Sequence, residues 1–317
     1  MQIDAYIAYI SGVRRYSLRT QQLYRDILNE FNDYNQQLTP VGIRNYEIHL
    51  LDDKKEEART VNLHLSVLSG YCKWLMKQGQ LESNPVRLVT RPKVEKRLPV
   101  FYREDSMKSY FESTDYLMKP DEVEFLSSLG PSDKTAIEHY GRMLRRMIIS
   151  LLYSTGIRRS ELIGLNQKSL DFSRKQLSVL GKGDKMREIP LTSTICEEIS
   201  LYLKAATIML GEAEGEEPLL RTPNGKRMYP VFVDRAVKQE LGAVEGITGR
   251  KSPHVLRHTI ATELLDEGSD LNSIKELLGH SSLAATQVYT HNSIERLKKV
   301  YNEAHPRANK NGGKNGD

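Results

Sequence analysis

Along the first 90 residues, apolar side chains recur at spacings of three and four, the period of a helix with one buried face. Leu23, Ile27, Phe31 and Tyr34 form one such stripe, and Ser17 ahead of them is a good N-cap. Thr39-Pro40 supplies an N-cap and a first-turn proline for a second helix carrying Ile43, Tyr46 and Leu50. Thr60 is placed to cap a third, with Val67, Tyr71, Trp74 and Leu75 on one face. The pattern stops at Ser83-Asn84-Pro85, and a basic stretch bearing Pro92 and Pro99 follows. The expectation is a small all-helical domain over 1–90 and a basic linker over 91–105.

A larger domain is expected over 106–306, and a tail over 307–317. Residues 104–142 are polar and irregular, with two short helices broken at Pro120 and Pro131. A strong helix is expected from about Arg142 to Tyr153, carrying Leu144, Met147, Ile148, Leu151 and Leu152. Ser154-Thr155-Gly156 ends it, and another helix begins near Arg158. Only one place reads clearly as β structure: the alternating runs "QLSVL" (176–180) and "MREIPL" (186–191) flank "GKGDK" as a hairpin. The rest returns to helix, without internal repeats, and the Asn/Gly/Lys-rich end (309–317) is expected to be disordered. The fold class is therefore mainly α, with a helical N-terminal domain and a mixed, mostly helical second domain holding a small β-hairpin.

Composition narrows the function classes. At 39% hydrophobic and 27% charged residues, the sequence is that of a globular protein. Its longest apolar run, "MIISLLY" (147–153), is far short of a membrane span, so no membrane partner is expected. "MQIDAYIAYI" has no basic n-region or cleavage site, so it does not read as a signal peptide. Cys72 and Cys196 lie in no metal-ligand spacing and read as core residues in a reducing, cytoplasmic compartment. Net charge is +5 and the pI about 8.9, which permits nucleic acid without requiring it. The basic charge is concentrated: residues 91–103 and 174–187 each carry five Lys/Arg against one acid, whereas 1–90 carry 11 against 10. That distribution suits an anionic backbone laid across defined parts of the surface, or a solvated linker.

Four short stretches carry residues suited to phosphate chemistry. In "SPHVLRH" (252–258), Ser252 and Pro253 open a helix, so His254 and Arg257 share a face near a positive helix end. In "TGIRRSELIGL" (155–165), Gly156 permits a sharp turn that delivers Arg158 to a helix start. The hairpin places Lys182 in its glycine-flanked turn. In "DLNSIKELLGHSSLAATQVYTH" (270–291), Asp270 caps a helix and Gly279 ends it, leaving His280 at the corner and Tyr289 at the end of a second, short helix. Each is weak alone: a capped surface helix would also show H-x-x-R, and a hairpin lysine is more often simply solvated.

Taken together, in this order and at these spacings, they resemble the tyrosine recombinases, or phage-integrase family. "LLGH" nine residues before "YTH" is the most specific wording. The "GKG" turn and the terminal "HPRA" (305–308) are most similar to the Xer site-specific recombinases. The resemblance is close over 143–308 and looser over 1–100, and the segment 104–142 is longer than the usual Xer connection. It implies a SAM-like core-binding N-terminal domain and a catalytic domain that clamp DNA between them. It implies catalytic roles for Arg158, Lys182, His254, Arg257, His280 and the nucleophile Tyr289, with Glu161 and His258 orienting them. No cofactor and no metal are implied. The implied partners are a double-stranded DNA recombination site and other recombinase protomers, as a homotetramer on two duplexes or a heterotetramer with a related recombinase. A DNA translocase is a further candidate partner, and the nucleoid the implied location. A C-terminal helix over 292–305, with Ile294, Leu297, Val300 and Tyr301 on one stripe, would dock on a neighbouring subunit or on its own domain. The alternatives are a type IB topoisomerase-like enzyme and a non-catalytic accessory DNA-binding protein on the same scaffold.

Overall fold

The computed structural model describes residues 1–34, 37–94, 100–181, 185–212, 216–268 and 270–279. The chain divides into two compact units, Met1–Leu98 and Pro99–Asp317. Helices α1 (Ile3–Gly12), α2 (Leu18–Tyr34), α3 (Pro40–Ile48) and α4 (Ala58–Lys77) build the first unit. They surround a core of Leu28, Phe31, Ile43, Tyr46, Leu65 and Leu68. Thr39 caps α3 as expected, its hydroxyl accepting from the Gly42 N–H at 3.1 Å. Two expectations need correcting. α4 starts at Ala58 behind Glu57, so Thr60 lies inside its first turn instead of capping it. The buried stripe of α2 is Ile27, Leu28 and Phe31, while Leu23 and Tyr34 face outward. Leu28, off the expected stripe, fills the interface in their place.

The second unit contains α5 (Glu104–Ser113), α6 (Pro120–Leu129), α7 (Lys134–Thr155), α8 (Arg159–Gly164), α9 (Ser193–Leu210), α10 (Pro230–Glu240), α11 (Pro253–Asp266) and α12 (Leu271–Leu278). α7 is the central helix, packed by α9, α10 and α11 and buried along most of its length. It begins at Lys134, well before the expected Arg142. Asp133 caps it, accepting from the N–H groups of Thr135 at 2.7 Å and Ala136 at 3.0 Å. Ala136, Tyr140 and Met143 carry the apolar face through the polar stretch. Arg146 of α7 is fully buried, bonded to Thr114 Oγ1 at 2.7 Å and Glu198 Oε1 at 3.2 Å, which makes its burial tolerable.

A three-stranded antiparallel sheet, β1 (Leu170–Asp171), β2 (Gln176–Leu180) and β3 (Met186–Pro190), lies in sequence order. The expected hairpin is β2–β3; the two-residue β1 is too short to show a period. Leu177 pairs with Ile189 and Val179 with Arg187, and all four face inward. Both cysteines are buried and free. No helix among the described residues is long and apolar enough to cross a membrane.

α11 packs on α7 partly through a carboxyl. Tyr153 donates to Glu263 Oε2 at 2.8 Å, while Oε1 is buried without a partner. Burial, and then Glu104 and Asp266, push the Glu263 carboxyl up to about 7. A raised carboxyl pKa means the folded state holds a proton that the unfolded state has released. Stability therefore falls as pH rises from about 4.5 through about 7. Glu263→Gln keeps the acceptor and removes the charge. It should stabilise the protein by about 3 kcal/mol at pH 8 and leave it unchanged at pH 4, read by chemical denaturation.

Candidate active site

The site forms where three chain corners meet. α7 ends at Gly156, whose φ of +60° is left-handed and suited to glycine. A Cβ there would stand 2.5 Å from Leu278 Cδ2, so glycine is also required for the close approach of α12. The chain then turns so that Arg158 precedes α8. The Arg158 N–H donates to Glu161 Oε2 and its Nη1 to Oε1, both at 2.8 Å, tying the residue to the first turn of α8.

α12 presents its C-terminal carbonyls, which have no partners within the helix, to this corner. Three successive ones are capped by guanidinium groups. Arg187 Nε donates to Leu277 O at 3.2 Å, Arg257 Nη2 to Leu278 O, and Arg158 Nη2 to Gly279 O at 2.7 Å. Arg257 also donates through Nη1 to Gly156 O. The negative end of the helix dipole thus draws the three cations together. Gly279 itself has φ +64°, and a Cβ would lie 3.1 Å from the Arg187 guanidinium. The glycine expected to end α12 does so, and it also admits an arginine beneath the turn.

Arg187 is the residue that sequence reading missed. It grips Glu161 in a two-pronged pair, at 3.0 Å to Oε1 and 2.7 Å to Oε2. A signal was available. In "MREIPL" the alternation puts Arg187 on the same face as Ile189, which is the core face, and an inward arginine needs an acidic partner. The Glu161 carboxyl is opposed by burial, but the bonds from Arg187 and the Arg158 N–H prevail and hold it near 2. Arg257 is lowered to about 10, by burial and then by Arg158, and stays charged at neutral pH. Arg158 and Arg187 thus share one carboxylate while Arg257 is held by backbone carbonyls, and the corner carries a net positive charge suited to an anion.

His254 and His258 lie on the outer face of α11, their rings 5.2 Å apart and edge-to-face. Ser252 occupies the N-cap position of α11 as expected, but its side chain makes no capping bond. The His254 pKa is lowered, first by desolvation and then by His258, Arg257, Arg250 and Arg158, which keeps the ring neutral at pH 7. Lys182, His280 and Tyr289 lie outside the described residues, as do the helix expected over 292–305 and the tail. The described chain reaches two of them from the site: Gly181, directly before Lys182, bonds Lys185 O at 2.8 Å across the hairpin neck, and Gly279 directly precedes His280. Among the described residues no three His, Cys, Asp or Glu side chains are grouped to hold a metal ion.

This geometry can be set against known proteins. Residues 121–296 match the phage integrase family, and residues 3–79 match its N-terminal SAM-like domain. The chain is a tyrosine recombinase of the phage integrase family. It is 30% identical over 324 residues to the tyrosine recombinase XerC of Chlorobaculum parvum, covering 96% of this chain and 94% of that one. Against XerC of Bacillus licheniformis it is 34% identical over 327 residues, with 97% of each chain covered. Its fold is that of the Tn1549 transposon integrase, solved in complex with transposon right-end DNA. The TM-score there is 0.64 at 18% identity, over 94% of this chain and 99% of the other. The recombinase is Xer-like, and no observation favours a topoisomerase or a non-catalytic accessory protein.

Proposed function

We propose that this recombinase cuts and rejoins double-stranded DNA by transferring a strand to Tyr289 and back. The observation that carries the reading is the convergence of Arg158 and Arg257 on adjacent carbonyls of α12, with the excess positive charge directed at one place. A phosphodiester there would take up the remaining guanidinium N–H groups. The Tyr289 oxygen attacks phosphorus, the bond to the 5′ oxygen breaks, and a 3′-phosphotyrosine results. A phenol of pKa about 10 is only about 0.1% ionised at pH 7, a handicap of roughly 4 kcal/mol, so a base is needed. His254, held neutral by its surroundings, accepts that proton, and His258 orients the ring. Lys182 supplies a proton to the departing 5′ oxygen, and His280 donates to the phosphate. Glu161 positions Arg158 from within the site. The phosphotyrosine retains the bond energy of the phosphodiester, so a 5′-hydroxyl of another strand reverses the step.

Exchanging four strands between two duplexes requires four such nucleophiles, so the working form is a tetramer, of this chain alone or with a related recombinase. The C-terminal segment 292–305 is the candidate contact between neighbours. Chromosome dimer resolution at the nucleoid, activated by a DNA translocase, is the cellular role most in keeping with Xer-like relatives. The test is a nicked duplex bearing the cognate site, on which the protein should form a denaturation-resistant adduct and free a 5′-hydroxyl end. A failure to trap any adduct would overturn the strand-transfer reading.

Arg257→Ala removes a donor to the transition-state oxygens and should slow adduct formation by about 100-fold or more, roughly 3 kcal/mol. Single-turnover rates at saturating protein measure it. Because the His254 pKa is lowered, the acid limb of the same rate should fall below the ordinary histidine value of about 6.5.

A further inference from the structure

The helix that carries His254 and Arg257 has no side-chain cap of its own. α11 starts behind Ser252, whose side chain makes no capping bond, and no acidic residue stands in its first turn. Its start is held from outside by Tyr102, in the stretch expected as linker, just past Leu98 where the first unit ends. The Tyr102 hydroxyl donates to Arg250 O at 3.1 Å and accepts from the Ser252 N–H at 3.3 Å. The Tyr102 backbone N–H donates to Thr259 Oγ1 at 3.0 Å, and that hydroxyl in turn donates to Val255 O at 2.9 Å. One residue thus grips α11 on both sides of its catalytic turn, ahead of His254 and beyond Arg257.

The grip is built into the core. Tyr102 is 3% exposed and Thr259 is fully buried. Burial pushes the Tyr102 phenol up to about 12, so at neutral pH it keeps its proton and its role as donor. The loop ahead of α11 lies on the same strap: a Cβ at Gly246, where φ is +80°, would stand 2.6 Å from Ser106 Oγ. Phenylalanine at 102 would fill the same space but leave Arg250 O and the Ser252 N–H without this partner. The placing of α11 matters chemically, because a general base must come within hydrogen-bond reach of the proton it takes.

We propose that Tyr102 is a positioning residue for strand transfer, its hydroxyl and backbone N–H setting where the first turns of α11 present His254. This role rests on the strand-transfer reading and adds to it a residue that touches none of the reacting atoms. Desolvation, and then His258, Arg257, Arg250 and Arg158, hold the His254 pKa below the ordinary value. Loosening the start of α11 lets water in and frees the ring from these cations, so its pKa should rise towards about 6.5.

The full-length wild type is compared with Tyr102→Phe and with Tyr110→Phe. The second variant is the control: the Tyr110 hydroxyl bonds Glu240 Oε2 at 3.1 Å, so its loss also costs the second unit a hydrogen bond. Single-turnover adduct formation on the nicked duplex is followed against pH at saturating protein, at a temperature where all three proteins are folded. Tyr102→Phe should lower the rate about tenfold, move its acid limb up towards about 6.5 and leave DNA affinity unchanged. Tyr110→Phe should match the wild type in all three. The His254 ring, identified by NMR through its loss in His254→Gln, should titrate higher in Tyr102→Phe than in the wild type. A wild-type rate and limb in Tyr102→Phe would overturn the role, as would a slower rate with the limb unmoved or an equal loss in Tyr110→Phe. A wild type that forms no adduct would sink the strand-transfer reading alone. The NMR titration then still decides whether Tyr102 sets the surroundings of His254, and an unmoved titration refutes it.

Discussion

Tyr289→Phe is expected to eliminate the covalent protein–DNA adduct on a nicked duplex, leaving DNA binding intact. The substitution removes one oxygen and keeps the ring, so binding, which rests on arginines, lysines and the backbone, should survive. Chemistry should not, because the bond to phosphorus is made by that oxygen and no general base can compensate for a missing nucleophile. The effect exceeds that of losing a guanidinium, which weakens stabilisation of the transition state by about 3 kcal/mol but leaves the reaction path open. Tyrosine occurs 16 times in the chain, so a control is needed. Tyr229 is about half exposed and remote in role, and Tyr229→Phe should form adducts at the wild-type rate. An adduct surviving in Tyr289→Phe would show that another side chain attacks the phosphorus. Electrophoresis after denaturation, with labelled DNA, separates the outcomes.

What the sequence made legible follows from the range of each interaction. Periodicity and caps are local, so α2, α3 and the C-terminus of α7 could be read, as could a hairpin announced by glycines between alternating runs. α1 carries Ile3, Tyr6, Ile7 and Ile10 at ideal helical spacing but has no side-chain cap at Gln2 to announce its start. The sequence pattern starts α7 too late because its first turns look polar, although their inward positions are filled by Ala136, Tyr140 and Met143. The arginine, lysine and histidine candidates stood in short, recognisable stretches. What holds the described ones together did not. Glu161 meets Arg187 across 26 positions, and Arg187 meets Leu277 across 90, and no local pattern encodes either distance.

That long-range pair predicts the largest structural effect. Arg187→Met should destabilise the protein by about 3 kcal/mol, since it removes the two-pronged partner of a buried carboxylate, leaving only Arg158 on it, and uncaps Leu277 O. Glu161→Gln should be similarly harmful, leaving Arg158 and Arg187 without their shared acid. The double variant should be less destabilised than the sum, because each single variant strands one member of the Arg187–Glu161 pair and the double variant strands neither. The pH dependence supplies an independent reading. The folded-state pKa of Glu161 is depressed from 4.5 to about 2, so the unfolded state takes up a proton before the folded state does. The pair's contribution is therefore complete above about pH 4.5 and disappears as pH falls towards 2, amounting to about 3 kcal/mol. In Glu161→Gln that part of the acid loss should vanish, which denaturation curves taken at pH 6 and pH 3 would reveal. Cleavage adds a further test. Arg187 touches α12 just before His280 but donates nothing outward, so at a temperature where Arg187→Met is folded its adduct rate should fall while DNA affinity holds. If that rate stayed at the wild-type level, Arg187 would be a strut of the fold without influence on the strand-transfer site.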